Sequence, residues 1–421
     1  MEIICYDQRS NKWPSTKEEN QVKRIRLLIV ILLIASVLSG CVEKQVEISA
    51  SVSPAGDPTA SQTPEPSLAG TALPSSAQSS VSPSNTETKT KTPVIIDAPL
   101  PDLQGTDWYD WDRVGTYPGA SVVQCGDKIA FQMIHGGEEL AYISYLSFAN
   151  PDGSNYVQTE IANSSNLNYK DGWVYFIYKD NCIYKVKTDG SELTEIFKAT
   201  NPEGTAQVWL SDLLLVDDKM YVFENIENGE NEKSIFKRIS LDGTNFEELD
   251  EFDSFGYSKS LFYDSGKLYY ISANLDRDIS VLYQYDIAAN NLTCLTQDLP
   301  TDYSKIAVRG DKVYHERDWA PYVYTISTCT DEPLISADFV VYDFGIFDRW
   351  LLMTGDDGIY FYELQTGKLY YGCEFGNAVS IVPTQNYVYL EEIDDWPILW
   401  PLIIQNGSVT VGEVFNLIYN Q

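Results

Sequence analysis

Two short segments place an indole beside carboxylates. Arg317–Pro321 reads RDWAP and Asp394–Pro397 reads DDWP. An exposed Trp next to acids can stack a sugar ring and hydrogen-bond its hydroxyls, or hold a cation on its face. Trp319 and Trp396, with Asp318, Asp394 and Asp395, are therefore candidate ligand-binding residues, and Trp209 is a third candidate indole. Other acids fall in neighbouring connections: Glu138, Glu139, Glu224, Glu227, Glu230, Glu232, Asp276 and Asp278. Charged loops are more often simply solvated than ligand-bearing, so packing and binding both stay open for these side chains. Paired acids would also serve a glycoside hydrolase or lyase, whose two carboxylates must stand about 5 to 10 Å apart. That alternative requires two carboxylates together over one pocket, one of them held protonated.

Most other chemistry is excluded. The chain has 61 Asp+Glu against 29 Lys+Arg, a net charge of −32, which repels phosphate backbones and rules against a nucleic-acid partner. Two histidines, His135 and His315, cannot build a histidine-rich metal centre, and each is expected to be a satisfied polar group in a strand. The acids of DWYDWD (Asp107–Asp112) lack the alternation, glycine and distal Glu of a calcium loop. No nucleophile elbow, dinucleotide glycine pattern, P-loop, HExxH or CxxC occurs, and no cofactor or metal is expected. Cys125, Cys182, Cys294, Cys329 and Cys373 are odd in number and spread along the chain, which is not a disulfide framework; they are expected to pack as small apolar residues.

These residues must be positioned by something, and the sequence shows what. A tight turn followed by an apolar residue and usually Tyr recurs as GDKIAF at Gly126, DGWVYF at Asp171, DDKMYV at Asp217, SGKLYY at Ser265, GDKVYH at Gly310, DRWLLM at Asp348 and QNYVYL at Gln385. The spacings are 45, 46, 48, 45, 38 and 37 residues. Downstream of most copies lies a hairpin turn: Asp152-Gly153, Asp189-Gly190, Asp242-Gly243, Thr366-Gly367 and Asn406-Gly407. Two units are less regular there, with Ala289-Asn290 and Asp331-Glu332. Turns of this kind supply the positive φ that short hairpins require. A period near 40 to 45 residues with about four short strands per period marks a β-propeller. The expected fold is all-β: seven four-stranded blades within 101–421. In a propeller the A–B and C–D turns share one face and the B–C and D–A connections the other. The latter set is expected to be longer and to form the binding face, with Trp209, Trp319 and Trp396 on it; Trp173, Trp350 and Trp400 are expected in the core. The segment Asp102–Gly119 precedes the first unit and is expected either to add an outer strand to the last blade or to pack under the propeller.

DGWVYFIYKDNCIYKVKTDGSELTEIF and SIFKRISLDGTNFEEL carry an apolar-Tyr strand and a DGS or DGT turn. In these features the units resemble the propeller of the low-density-lipoprotein-receptor type, the YWTD class, across roughly residues 120 to 415. The Tyr-Trp-Thr-Asp sequence itself never occurs; VYFI or LYYI holds its place. The resemblance implies the fold and carries no particular ligand.

The first hundred residues differ in kind. Lys23, Arg24 and Arg26 precede an apolar run from Leu27 to Leu38, the pattern of an export signal and shorter than the roughly 20 residues of a membrane span. The run closes on Leu38-Ser39-Gly40-Cys41, which resembles the bacterial lipobox and implies cleavage before Cys41 and lipidation of that cysteine. The expected division is a signal peptide over 1–40, a lipidated tether over 41–100 and a propeller over 101–421. The 21 residues before the basic cluster are long for such a signal, so translation is expected to begin at Val22. From Ser51 to Thr92, 30 of 42 residues are Ser, Thr, Pro, Ala or Gly and none is aromatic, too little apolar surface to offset the entropy of ordering. The chain thus reads as an extracytoplasmic lipoprotein held at the membrane by its lipid. Its propeller would bind or scaffold a protein or glycan, and an enzyme acting on surface carbohydrate is the alternative.

Overall fold

The computed structural model describes residues 95–96 and most of 109–412. Positions 112 and 118 and the connections 136–142, 201–205, 229–230, 254–259, 275–278, 300–304, 336–338, 376–378, 393–398 and 406–407 lie outside the described residues, as do 1–94, 97–108 and 413–421. Cys41, the signal and the tether except Ile95–Ile96 are thus outside it. Among the described residues no helix is long and apolar enough to cross a membrane.

The described residues form seven antiparallel sheets of four consecutive strands, A to D: blades 1 (122–162), 2 (164–198), 3 (207–253), 4 (262–299), 5 (307–333), 6 (343–373) and 7 (379–411). This is the seven-bladed β-propeller that the repeat predicts. Alternation builds each sheet. Strand B of blade 2, Trp173–Tyr178, and its partner strand C, Cys182–Lys187, send Val174, Phe176, Ile183 and Val186 into the contacts between blades. Trp350, in strand B of blade 6, is wholly buried, edge-on to Phe361 and Tyr370. Trp173 is half-buried, with the Lys185 and Lys187 ammonium groups over its ring, and Trp400 is half-buried against Phe375.

The turns carry the expected chemistry. Gly126, Asp171, Gly172, Asp217, Ser265, Gly266, Gly310 and Asp348 take positive φ between strands A and B. In the C–D hairpins of blades 1, 2 and 3, Oδ1 of Asp152, Asp189 and Asp242 accepts the backbone N–H two residues on, from Ser154, Ser191 and Thr244. Blade 5 departs from expectation. Its C–D turn is Ile326–Cys329, and Asp331-Glu332 sit in strand D, Thr330–Pro333, because Cys329 supplies the positive φ.

The described part of the leading segment packs against the propeller rather than adding an outer strand to the last blade. Residues Tyr109 to Ala120 contact the inner strands of several blades. Val114 bridges Val216, the Gly115 N–H donates to Leu215 O, and Gly115 O accepts from Tyr169 N–H. The Tyr117 hydroxyl accepts from Ile346 N–H at 2.9 Å, and the Tyr263 hydroxyl donates to Asp110. A Cβ at Gly115 would stand 3.0 Å from Leu215 Cβ and 3.1 Å from Tyr169 O, so the approach needs glycine. This segment therefore ties together blades 2, 3, 4 and 6. Ile95–Ile96 does add an outer strand, but to blade 6, parallel to Leu369–Cys373. Blade 7 is built wholly from 379–411 and meets blade 1 through Val382, Tyr389 and Leu399 against Val122, Ile129 and Phe131.

Candidate functional site

The innermost strand of each blade begins on the face of the D–A connections. Several of those beginnings carry a polar residue. Asp212, Ser260, Lys305, Asp343 and Ser380 converge there with Glu391, from the end of strand B of blade 7. They surround a cavity of about 300 Å³ that Tyr117, Gly119, Ala120, Ile381 and Val382 complete.

Local backbone irregularity helps to make this mouth. Strand A of blade 3, Gln207–Val216, bulges between Ser211 and Leu214, with Asp212 at φ 55°. Strand A of blade 2, Ser164–Lys170, bulges alongside between Ser165 and Asn168, with Asn166 at φ 54°. The buried Asn168 amide locks the two together. Its Nδ2 donates to Leu213 O and its Oδ1 accepts from Leu215 N–H, both at 2.9 Å. Bulges re-aim side chains, and left-handed non-glycine residues cluster at functional sites.

Lys305 and Asp343 form the fixed part of the mouth. Lys305 Nζ lies 3.2 Å from Asp343 Oδ2 and 3.0 Å from Ile381 O, with the Tyr117 ring 5.6 Å away. Asp343 Oδ2 also accepts from Ile381 N–H at 2.6 Å. The pair thus holds both backbone polar groups of Ile381 and joins blade 6 to blade 7. Glu391 is held differently. Ser121 Oγ donates to its Oε2 at 2.6 Å, across the closure between blades 1 and 7. Its Oε1 has no hydrogen-bond partner among the described residues. Burial raises the Glu391 pKa above its ordinary 4.5, and the Asp343 charge raises it further, against the opposing influence of Ser121 and Lys305. Burial likewise pushes the Tyr117 hydroxyl up. Three carboxylates, Asp212, Asp343 and Glu391, therefore line one cavity, and Glu391 is biased toward its protonated form.

None of the described ligand-binding candidates anticipated from sequence, Trp209, Asp318 and Trp319, lines this cavity. Asp318 and Trp319 form the two-residue B–C turn of blade 5, at φ 52° and 63°. Positive φ is rare for so bulky a side chain. Trp319 is 58% exposed, its O accepts from Val341 N–H, and its ring stands edge-on to Tyr342, the neighbour of Asp343. Trp209 lies within strand A of blade 3, opposite Asn225, rather than in a connection, and is half-buried. Glu224 and Glu227 belong to strand B, Lys219–Asn228, and Glu224 is buried against Lys237 at 2.8 Å. Glu232 belongs to strand C, Asn231–Ser240. Glu138, Glu139, Glu230, Asp276, Asp278, Asp394, Asp395 and Trp396 lie outside the described residues. The B–C connections of blades 2, 3, 5 and 6 are tight, with only two or three residues between strands, so the expectation of long ones fails there. His315 is buried with Nε2 2.8 Å from Asp331 Oδ1, a satisfied polar group as expected. Cys125, Cys182, Cys294, Cys329 and Cys373 are all free. Among the described residues no group of three or more His, Cys, Asp or Glu could hold a metal ion.

Sequence reasoning missed Asp212, Lys305, Asp343 and Glu391. The signal was present for two of them: QVWLSDLLLV and VVYDFGIF each interrupt an apolar inner strand with one acid.

No protein-family model matches the chain, and no curated protein matches it either. Solved structures do. Puromycin hydrolase resembles it with a TM-score of 0.53 at 12% identity, over 70% of this chain and 53% of that one. The β-propeller domain of the trilobed protease from Pyrococcus furiosus gives 0.47 at 13% identity, over 72% of this chain and 99% of that domain. Acylaminoacyl peptidase from Pyrococcus horikoshii gives 0.48 at 11% identity, over 70% and 52%. The chain spans about half the length of the two hydrolases. At these identities the likeness to puromycin hydrolase establishes the propeller fold and nothing about activity.

Proposed function

We propose that this protein is an extracytoplasmic lipoprotein, anchored through Cys41, whose propeller binds a protein or glycan at the channel mouth. The anchoring rests on the basic cluster, the short apolar run and Leu38–Cys41, with the Ser51–Thr92 stretch as a spacer. The blade motif, an apolar-Tyr strand B followed by a DGS or DGT turn, agrees with a YWTD-like binding propeller.

The observation that carries the binding reading is the mouth itself. It is a cavity of about 300 Å³ on the D–A face, lined by Asp212, Ser260, Lys305, Asp343, Ser380 and Glu391. Concave sites with a few convergent polar groups are the usual places for ligands. The exposed Trp319 stands edge-on to Tyr342, the residue before Asp343. A glycan array and a cell-surface pull-down with the full chain test the reading, using Asp343→Asn and Trp319→Ala as variants. Loss of the ligand in Asp343→Asn and weaker binding in Trp319→Ala are expected. A ligand held undiminished by both variants would remove this face from consideration.

One observation favours a second reading. Asp343 and Glu391 line the same cavity, and Glu391 is held toward its protonated form, as a carboxylate-based glycosidase needs. A peptidase like the similar hydrolases would need a nucleophile, and the chain has no nucleophile elbow. Release of reducing sugar from a bound glycan, abolished by Glu391→Gln, would establish the hydrolytic reading. Binding without turnover would exclude it.

A further inference from the structure

We infer that a neutral oligosaccharide binds along an aromatic strip over blades 5 and 6, stacking on Trp319 and Tyr371 and donating hydroxyls to Asp356 and Asp357. This rests on the binding reading above, narrows its ligand to a sugar and extends its site outward from the mouth.

Three elements build the strip. The B–C turn of blade 5 is Asp318-Trp319, and that of blade 6 is Asp356-Asp357. The connection between the blades, which ends at Tyr342, is bonded to both. Val341 N–H donates to Trp319 O at 2.7 Å, and Tyr342 N–H donates to Thr354 O at 2.8 Å. A Cβ at Gly355 would lie 3.0 Å from Val340 O, so the connection lies hard against the blade 6 turn. Side chains continue the line. The Trp319 ring stands edge-on to the Tyr342 ring, with centroids 6.1 Å apart, and the Tyr342 hydroxyl donates to Asp356 Oδ1. The Tyr360 hydroxyl donates to Asp357 Oδ1, and the Tyr371 hydroxyl donates to Asp357 O at 3.1 Å. The Tyr371 ring stands edge-on to Tyr360. In order, the surface carries an indole, two carboxylates held in place by tyrosine hydroxyls, and a phenol.

Two of these rings contribute little to the core. Trp319 is 58% exposed and Tyr371 40%, whereas Tyr360 is buried. Trp319 also sits at φ 63°, a backbone that glycine adopts freely and a bulky side chain only under strain. An indole there leaves most of its apolar surface in solvent.

The surroundings of the rings select the ligand. Asp356 and Asp357 are exposed between them. A protein hot spot seats its aromatic in a surround that excludes water, and covering these acids would bury charge without a partner. A sugar needs no such exclusion. Its C–H face covers an aromatic ring while its hydroxyls donate to carboxylates that stay hydrated. The net charge of −32 disfavours an acidic glycan, and a strip spanning two blades suits several linked sugars rather than one.

The test is a printed array of neutral and acidic glycans read with the full chain, then calorimetric titration of a hit against Trp319→Gly, Tyr371→Ala and Asp343→Asn, with melting midpoints for each. Neutral glycans should bind. Trp319→Gly should weaken them by on the order of tenfold or more, and Tyr371→Ala by less, whether or not Asp343→Asn weakens them too. Glycine suits the turn, so the midpoint of Trp319→Gly should be no lower than the parent's. A lower midpoint with unchanged affinity would make the indole structural and overturn the inference. Glycan binding kept by Trp319→Gly and lost in Asp343→Asn overturns the strip and leaves the mouth as the site. A protein partner lost in Trp319→Gly, with no glycan bound, overturns the sugar and leaves the binding reading. Hits confined to acidic glycans, or no hits and no partner, overturn the inference.

Discussion

The two faces of the disc use the same chemical group in opposite ways. On the face of the A–B and C–D turns, Asp242 sits in open solvent and accepts from Thr244 N–H, the Thr244 hydroxyl and the Ser240 hydroxyl. These bonds hold its pKa down to about 2. Asp152 and Asp189 repeat the arrangement and are also lowered by the serine two residues on. At the channel mouth, Glu391 is largely removed from solvent, has one hydrogen bond and is pushed up. A carboxylate held by the donors of its own turn in open solvent is structural. One drawn into a cavity by a residue of another blade is available for something else. The difference separates the acidity that folds this chain from the acidity that can act.

The largest effect should come from breaking the structural side. A Cβ at Gly243 would lie 1.9 Å from Ile196 O, in a backbone at φ 73°, because the blade 3 hairpin rests on strand D of blade 2. Gly243→Ala should destabilise the protein by about 3 kcal/mol in urea unfolding, without a direct effect on the mouth. An unchanged midpoint would show that the hairpin is free to shift.

Asp343→Asn should come next. It leaves Lys305, whose side chain is 24% exposed, without its carboxylate, and weakens the hold on Ile381. About 2 kcal/mol of stability should go, together with ligand binding.

Glu391→Gln should instead leave stability at neutral pH equal or higher. A raised carboxyl pKa means the folded state keeps its proton longer than the unfolded chain. Stability is therefore fully present below the ordinary pKa and declines as pH rises through the folded one. Equilibrium unfolding from pH 4 to 8 should show that decline in the parent and a smaller one in the variant. Parallel curves would mean that Glu391 titrates normally.

Asp242→Asn should have the smallest effect, with the opposite sign in pH. The contribution of Asp242 is present above its unfolded pKa and is lost as pH falls toward about 2. The variant should differ from the parent at pH 6 and converge with it near pH 2. Nothing at the mouth should change.

Most of the fold was legible because it is local. A tight turn, an apolar residue and a Tyr recur in sequence, and each copy constrains its own blade, as Gly172 with Val174 and Tyr175 does in blade 2. Blade 5 broke the pattern where Cys329 took the left-handed position that an Asp-Gly pair fills elsewhere. The mouth was not legible because it is not local. Ser121 and Glu391 are 270 residues apart and meet only because the ring closes between blades 7 and 1. Lys305 and Asp343 are adjacent only because consecutive inner strands converge on one axis. The B–C turn that carries Trp319 was legible because RDWAP is self-contained, whereas Trp209 was misplaced because strand A of blade 3 starts earlier than its composition suggests. The segment from Tyr109 to Ala120 was equally opaque. Its aromatics suggest burial but not that Tyr117 would reach Ile346, 229 residues away.

The most direct test of the account is the titration of the Glu391 carboxyl itself. Carboxyl 13C shifts of glutamate-labelled full chain, assigned by difference with Glu391→Gln, would follow it. The account predicts a midpoint above the ordinary 4.5. A midpoint at or below 4.5 would show that the channel mouth is no more than another solvated group of acids.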